Sequence, residues 1–210
     1  MSAYGALFTR IYDPFLAWGE RAGMGALRRS VLAQARGDVL EIGAGTGLNL
    51  PAYPAGVTAL TLAEPEPSMV DRLRSVGAAS PLAPTVVAAG AESLPFPDAS
   101  FDTVVSTLVL CTVGDVDASL AEIRRVLRPD GQLLLIEHVR SDAPSLARWQ
   151  DRLHRPWLAF GYGCNCNRDT RDSLARTGFT VDALTPARWR RMPVIVAPLI
   201  AGPSTLAAES

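Results

Sequence analysis

The sequence predicts a three-layer, doubly wound α/β fold around a mostly parallel sheet of seven strands, with added N-terminal helices. Apolar β-branched runs alternate with amphipathic segments, which favours parallel strands connected by helices. The first run ends in a glycine-rich turn, typical of the carboxyl edge of such a sheet. A length of 210 residues suits one main domain. We expect an N-terminal helical segment over residues 1–36, the α/β domain over 37–200 and a loose tail over 201–210.

The strongest motif is the stretch Val39–Asn49. Its apolar beginning indicates a strand, Gly43, Gly45 and Gly47 indicate a tight turn, and the residues that follow suit a helix. Glycine tolerates positive φ and lets a ligand approach where a Cβ would collide. Backbone amides at the start of a helix then face that ligand. The stretch therefore predicts a nucleotide-type cofactor site, although a glycine-rich turn without a ligand is the structural alternative.

The spacing of the glycines disfavours a dinucleotide site. The pattern Gly-x-Gly-x-x-Gly would need glycine where Leu48 stands. The observed Glu-x-Gly-x-Gly-x-Gly, which begins at Glu41, resembles the first motif of class I S-adenosylmethionine (SAM) methyltransferases. That resemblance implies SAM as cofactor, S-adenosylhomocysteine as product, and Glu41 near the ammonium group of the cofactor. A pyrophosphate would be repelled by Glu41. Asn49, at the end of the motif, is included among the predicted cofactor ligands.

A second acid supports the cofactor site. Glu64 ends the second predicted strand, 21 residues after Gly43. A carboxylate there can accept hydrogen bonds from both ribose hydroxyls of an adenosine. The alternative is a solvated loop carboxylate. Pro65 follows it and is predicted to line the same site.

The segment 90–102 resembles the part of quinone-type C-methyltransferases that surrounds the adenine ring. Those enzymes usually carry Asp where this chain has Gly90. Ala91, through its amide, and Glu92 are the expected substitutes. Thr107 and Leu108 end the fourth predicted strand, whose carboxyl end borders cofactor and substrate in a doubly wound sheet.

The remaining elements follow from hydrophobic periodicity and from the positions of Pro and Gly. Asn167 or Asp169 is expected to cap the last helix. The predicted strands are 38–42, 57–63, 84–89, 101–107 with an extension to 111, 132–139, and an antiparallel pair at 179–184 and 189–197. Three predicted helices have both ends defined: 3–35 with a break near residue 13, 115–127 and 144–160. Three others have one end defined: a helix of about two turns that ends near 53, a helix that starts near 65 and a helix that ends at 176. A turn is predicted at 128–131.

The N-terminal segment carries a strong aromatic stripe. Core packing, or a helix lying on the sheet, explains such a stripe. Class I methyltransferases often close their substrate pocket with added N-terminal helices, so the resemblance implies a lid over residues 1–36. Tyr12 and Asp13, at the predicted break, would be its polar groups and candidate catalytic residues.

The fifth strand ends in Glu137-His138, at the expected active-site edge. Histidine can hold or release a proton near neutral pH, so His138 is the candidate general base. The alternative is a structural pair in which Glu137 orients the ring or a neighbouring loop.

Several short segments narrow the resemblance to the thiol S-methyltransferases of animals. They are 107–111 (Thr-Leu-Val-Leu-Cys), 137–139 (Glu-His-Val), 163–165 (Gly-Cys-Asn) and 168–170 (Arg-Asp-Thr). The resemblance implies a small or metabolite thiol as acceptor and in-line methyl transfer. Cys111, Tyr162, Cys164 and Asn165 are the predicted substrate-binding residues. Alternatives are methylation of carbon, oxygen or nitrogen on a quinone-like, phenolic or lipid-like molecule, a non-catalytic SAM-binding regulator, and a disfavoured nicotinamide reductase.

The composition of the chain limits the classes of partner and cofactor that we expect. A formal net charge of -1 gives no nucleic-acid footprint, and three cysteines suggest no disulfide framework and a reducing cytoplasm. Apolar runs are short, so we expect no integral membrane segment, unlike the animal relatives, which carry an N-terminal anchor. No metal is expected, because Cys164-x-Cys166 alone is a weak zinc signal. Arsenite held by Cys111, Cys164 and Cys166 is a minor alternative. No oligomeric state is predicted.

Overall fold

The structure is a computed structural model that describes residues 14, 16–161 and 163–207. This part of the chain contains one seven-stranded sheet with the order β3-β2-β1-β4-β5-β7-β6. β7 runs antiparallel to β5 and β6, and all other neighbours are parallel. The predicted fold class is therefore confirmed. The strands are β1 Gly37–Ile42, β2 Val57–Ala63, β3 Thr85–Val87, β4 Phe101–Thr107, β5 Leu127–His138, β6 Thr185–Arg188 and β7 Pro198–Thr205.

Helices begin where the sequence supplies a cap or a proline. Asp115 accepts a hydrogen bond from the Ala118 amide, and Asp169 accepts one from the Asp172 amide, so Asp169 rather than Asn167 caps the last helix. The helices Pro67–Gly77 and Pro144–Phe160 begin with proline, which suits the first helical position. The α-helices are α1 Gly25–Leu32, α2 Pro67–Gly77, α3 Val116–Val126, α4 Pro144–Phe160 and α5 Thr170–Arg176.

Two hydrophobic cores lie on opposite faces of the sheet. Alternate strand residues point to opposite sides, so Leu40 joins one core and Val39 the other. The first core is closed by α3 and α5, for example through Ile123. The second is closed by α1 and α2, through Leu32 and Leu73. Helices on both faces of one sheet give the predicted three layers.

The order of the strands creates a crevice beside β1. β1 pairs with β2 on one side and with β4 on the other, so the chain adds β2 and β3 on one side of β1 and then β4 and the later strands on the other side. In open α/β sheets ligands bind at this switch point, outside the carboxyl ends of the strands.

The predicted final strands, 179–184 and 189–197, are wrong. The Arg171 side chain donates hydrogen bonds to the carbonyls of Val181 and Leu184, so these carbonyls pair with a side chain and not with a neighbouring strand. The second segment folds back on itself, with the Trp189 amide bonded to the Ala197 carbonyl. The antiparallel pair is β6 and β7, each displaced toward the carboxyl terminus.

The predicted loose tail over 201–210 is also wrong as far as Thr205. β7 pairs with β5 from Leu199 opposite His138 to Thr205 opposite Gln132, and Ser204 is buried. This segment therefore belongs to the sheet.

Gly202→Ala is expected to lower the free energy of unfolding by about 2 kcal/mol. Gly202 has φ 140°, and a Cβ there would lie 2.8 Å from the Ala183 carbonyl oxygen. Gly56→Ala is the matched control, because its Cβ would meet only the Ala35 carbonyl oxygen at 3.7 Å. Urea unfolding measures both variants. Equal stability of Gly202→Ala and wild type would contradict the structural role of the tail.

Three further boundaries differ from prediction. The two-turn helix after the glycine loop is only a 3-10 turn, Leu50–Ala52, in a segment that also contains Pro51 and Pro54. β4 does not extend to residue 111, because Leu108 leaves the strand with φ 62°. At the predicted turn 128–131 the chain bulges instead, and the pairing with β4 passes from Leu127 directly to Gln132.

The N-terminal helix continues to Leu32, with a π-helical turn at Glu20–Met24 and a kink at Gly23, where φ is 139°. The predicted break near residue 13 stays a prediction, because residues 1–13 lie outside the described part of the chain. α1 packs against β5 and β7, so this part lies on the sheet. Tyr12 and Asp13 lie outside the described residues, and the lid over 1–36 stays a prediction. Within the described residues, no helix combines the length and apolarity needed to cross a membrane.

Candidate active site

A cavity of about 620 Å³ lies at the carboxyl edge of the sheet. The loops after β1, β2, β3 and β4 and the end of β5 contribute to its wall, as expected at the switch point. Most of the predicted site residues meet there. Those that line it are Gly43, Gly45, Glu64, Pro65, Ala91, Glu92, Thr107, Leu108, Cys111, His138 and Cys164.

The glycine loop forms a cradle at this cavity. Gly43, Gly45 and Gly47 have φ values of 55°, 57° and 84°. A Cβ on Gly43 would lie 2.5 Å from Val109, so this glycine permits close packing of two loops. A Cβ on Gly45 would meet no protein atom closer than 3.9 Å, so it would occupy space at the cavity. Gly47 packs toward Leu50 and does not line the cavity, which gives it a role in the turn.

Glu64 is buried beside this loop. Its two carboxylate oxygens accept hydrogen bonds from the amides of Gly45, at 2.8 Å, and Glu66, at 2.9 Å. Burial raises the pKa of the Glu64 carboxyl, although these amides oppose the rise. A carboxylate has about four acceptor positions, so each oxygen keeps capacity for a ribose hydroxyl.

Glu41 and Asn49 lie in a smaller polar cleft on the other side of the loop. The Asn49 amide donates to Glu41 at 2.9 Å, and the Tyr53 hydroxyl donates to Glu41 at 2.6 Å. Arg28 donates to the Asn49 carbonyl oxygen at 2.8 Å. Burial raises the pKa of Glu41 to about 7. The predicted contact between Glu41 and the cofactor ammonium stays a prediction, as does cofactor binding by Asn49.

At the end of the cavity where adenine is predicted to bind, the carboxylate of Glu92 lies next to Gly90, the position at which the enzymes that this segment resembles carry Asp. A side-chain oxygen of Glu92 accepts a hydrogen bond from the Gly114 amide at 2.9 Å. Its other oxygen lies 3.2 Å from where a Cβ of Gly90 would stand. Glu92 therefore occupies the space next to Gly90, and Ala91 lies buried between them.

Glu92→Ala is expected to raise the Kd for SAM about tenfold, because a hydrogen bond to a charged group contributes roughly 1.5–3 kcal/mol and this site is partly solvated. Glu92→Gln should retain part of the affinity through its amide oxygen. Isothermal calorimetry with SAM would measure both. Unchanged affinity in Glu92→Ala would exclude this residue from adenine recognition.

Glu137 organises the loop that follows β4. Its buried carboxylate accepts hydrogen bonds from the Ser106 hydroxyl at 2.7 Å and from the amides of Val109 at 2.9 Å and Cys111 at 3.3 Å. Burial raises its pKa, and these donors oppose the rise. The alternative interpretation is therefore right for this acid: Glu137 orients a neighbouring loop.

His138 lines the cavity and is only 5% exposed. Burial lowers its pKa to about 4, so the ring is neutral at neutral pH. The carbonyls of Val196 and Pro198 act on the ring as acceptors, while Nδ1 has no partner in the described chain. Because carbonyls only accept, Nε2 carries the proton and Nδ1 keeps a lone pair. Trp189 stacks on the ring, with centroids 5.7 Å apart.

Of the predicted substrate-binding residues, Cys111 and Cys164 line the cavity and Asn165 does not. The Asn165 side chain donates to the carbonyls of Cys111, at 3.2 Å, and Gly163, at 3.0 Å. It therefore holds two loops together. Tyr162 lies outside the described residues. Among the described residues, no group of three or more His, Cys, Asp and Glu side chains is arranged to hold a metal ion.

Sequence reasoning missed part of the apolar wall. Trp157 and Phe160 on α4, and Trp189 and Met192 before β7, line the cavity. Leu16 lines it as well, from the N-terminal helix. The apolar face of α4 was a usable signal for Trp157. No periodic pattern marks Trp189 or Met192, which tertiary folding brings to the site.

These residues fit SAM. The Gly45 cradle leaves room that a Cβ would fill, and Glu64 is a buried acid at the position of a ribose acceptor. The cavity continues from there to His138 and the aromatic wall, which leaves space for an acceptor beside the cofactor.

Comparison with known proteins identifies relatives of this chain. A family model described as "Methyltransferase domain" matches residues 40–135. The human thiol S-methyltransferase TMT1A is 34% identical over 177 residues, covering 82% of this chain and 72% of that protein. The alignments with four thiol S-methyltransferases cover between 59% and 72% of their lengths. The phosphatidylethanolamine N-methyltransferase of Cereibacter sphaeroides is 33% identical, covering 69% of this chain and 71% of that protein.

The fold also matches solved structures. An S-adenosylmethionine-dependent methyltransferase from Mesorhizobium loti superposes with a TM-score of 0.66 at 22% identity, covering 87% of this chain and 97% of that chain. The chain belongs to the class I SAM-dependent methyltransferase family.

Proposed function

We propose that this methyltransferase transfers a methyl group from SAM to the sulfur of a small thiol. The observation that carries the proposal is His138, a buried neutral imidazole that lines an apolar cavity and whose Nδ1 has no partner in the described chain. The similarity to TMT1A supports the same acceptor class.

Each part of the cavity has a task in this proposal. SAM supplies an electrophilic methyl group on a sulfonium. The glycine loop and Glu64 bind and orient the adenosine part. The apolar wall, including Trp157, Trp189 and Met192, excludes water and aligns the acceptor. Alignment of two reactants can lower a barrier by several kcal/mol.

The thiol acceptor loses its proton during methyl transfer, so a group in the site must accept that proton. A thiol has a pKa of about 8.5, so only a few per cent is thiolate at neutral pH. The neutral imidazole of His138 takes the proton of the thiol as the sulfur reacts. A pKa of about 4 makes His138 a weak base, which suits a thiol better than an alcohol, whose proton is held far more tightly. Tyr12 and Asp13 remain candidates for relaying this proton.

An N-methyltransferase acting on a lipid amine is the second candidate. It is favoured by the relative from Cereibacter sphaeroides, whose name specifies phosphatidylethanolamine and of which this chain covers 71%. A non-catalytic SAM-binding regulator would also retain the glycine loop and Glu64.

An acceptor panel separates these functions. Purified protein and SAM would be incubated with an alkyl thiol, a phenol, a hydroquinone or vesicles containing phosphatidylethanolamine, and S-adenosylhomocysteine release would be followed. We expect release with the thiol alone. Release with the vesicles and not with the thiol would favour the lipid amine. SAM binding without release on any acceptor would favour the regulator.

A further inference from the structure

Two cysteines from different loops meet in the wall of the acceptor cavity. Cys111 follows β4 and Cys164 follows α4, and both line the cavity. The Asn165 amide donates to the Cys111 carbonyl at 2.7 Å, which ties the backbone of one loop to the other beside the two thiols. Both cysteines are free thiols.

The two side chains belong to one buried cluster, together with Cys166, Ile195 and Val196. The neighbouring Cys164 and burial raise the pKa of Cys111, and the neighbouring Cys111 lowers the pKa of Cys164. A pair with one thiol of lowered pKa and a protonated neighbour has the asymmetry of a nucleophilic and a resolving cysteine.

The loops that carry the pair are held firmly. Arg168 donates to the carbonyl of Leu110, next to Cys111, and to the carbonyl of Val113 at 3.1 Å. Glu137 holds the Cys111 amide. A disulfide needs Cα atoms about 4.4–6.8 Å apart, and the backbone hydrogen bond from Asn165 to Cys111 keeps the segments that carry the two cysteines side by side.

We propose that Cys164 and Cys111 form a dithiol centre that reduces small disulfides entering the acceptor cavity. The Cys164 thiolate attacks one sulfur of R–S–S–R, which forms a mixed disulfide on Cys164 and releases RS⁻. Cys111 then attacks the Cys164 sulfur, which closes the Cys111–Cys164 disulfide and releases a second RS⁻. The protons lost by the two cysteines convert both products to R–SH, so one disulfide is reduced and one dithiol oxidised. The methyl-acceptor role of R–SH rests on the proposed function, whereas the exchange itself does not.

Cys166 provides an internal control. It is fully buried and does not line the cavity. It lies two residues from Cys164 in sequence, so any non-specific reaction of this segment should reach it once the protein unfolds. In the folded protein a disulfide in the cavity should spare it.

The test uses 2-hydroxyethyl disulfide with the fully reduced, folded protein, followed by acid quenching and intact mass and peptide analysis. We expect wild type and Cys166→Ser to lose two hydrogen atoms and to form the Cys111–Cys164 bond. Cys111→Ser should stop at a stable mixed disulfide on Cys164. Cys164→Ser should form no adduct. Cys111→Ala replaces Cys111→Ser if melting shows that the latter does not fold.

Two results would overturn the dithiol centre. The first is a folded wild type that stays reduced under conditions in which the guanidinium-unfolded chain reacts at all three cysteines. The second is a mixed disulfide on Cys164 that Cys111 does not resolve in wild type. Neither readout involves methyl transfer, so a closed disulfide without thiol methylation would reject only the proposed function, and the reverse would reject only this inference.

Discussion

Replacing Glu64 with alanine is expected to weaken SAM binding by roughly 10²- to 10⁴-fold. The Glu64 carboxylate is buried, and two of its acceptor positions are available for the ribose after those used by the Gly45 and Glu66 amides. Each hydrogen bond to a charged group contributes roughly 1.5–3 kcal/mol, and every 1.4 kcal/mol corresponds to tenfold in affinity. The variant also loses the acceptor that holds the Gly45 amide in the cradle.

Calorimetric titration with SAM and with S-adenosylhomocysteine measures this effect. Asp71→Asn is the matched control, because Asp71 is an acid of the following helix with a side chain 73% exposed. The control should bind SAM as wild type does. Glu64→Ala that remains folded and binds SAM within threefold of wild type would contradict the placement of the ribose.

Replacing His138 with phenylalanine is expected to lower kcat/KM for an alkyl thiol about 100-fold at pH 6.5. Phenylalanine preserves a ring against Trp189 but has no lone pair. The variant can use only preformed thiolate, which is about 1% of a thiol two pH units below a pKa of about 8.5. Its kcat/KM should rise tenfold per pH unit up to about pH 8.5. Wild type should be nearly independent of pH between 6 and 8, because neutral His138 accepts the proton itself.

The pH range of this comparison follows from the lowered pKa of His138. The folded state holds the ring neutral, with a pKa of about 4 against an ordinary 6.5. The associated stability is fully present above pH 6.5 and is lost as the pH falls toward 4. Rates measured from pH 6 to 9 therefore report on catalysis rather than unfolding. A variant with wild-type kcat/KM throughout this range would show that His138 is not the proton acceptor.

The elements up to residue 160 with a clear apolar pattern were predictable from that local pattern. β2 begins and ends at the predicted residues, and β4 begins at the predicted residue, because each is an apolar run that follows turn residues. α4 was predicted at both ends, from Pro144 at its first position and from its apolar periodicity. The glycine loop and Glu64 were placed at one cavity because the carboxyl ends of neighbouring parallel strands share an edge.

The last part of the sheet and the loop after β4 depend on contacts that no local pattern records. β7 contains Pro198, Gly202 and Pro203, which disfavour strands, and its place is set by pairing with β5. The positive φ of Leu108 accompanies a loop held by the buried Glu137, 28 residues from Val109. Trp189 reaches His138 only after this part of the chain has folded back.

The most direct test of thiol methylation compares benzyl mercaptan, benzyl alcohol and benzylamine, which differ only in the atom that would receive the methyl group. Rates of S-adenosylhomocysteine release would give kcat/KM for each, and mass spectrometry would identify the methylated product. We expect turnover of the mercaptan to its S-methyl product, with no release above background for the alcohol and the amine. Turnover of the alcohol or the amine at a rate equal to or above that of the mercaptan would contradict this expectation.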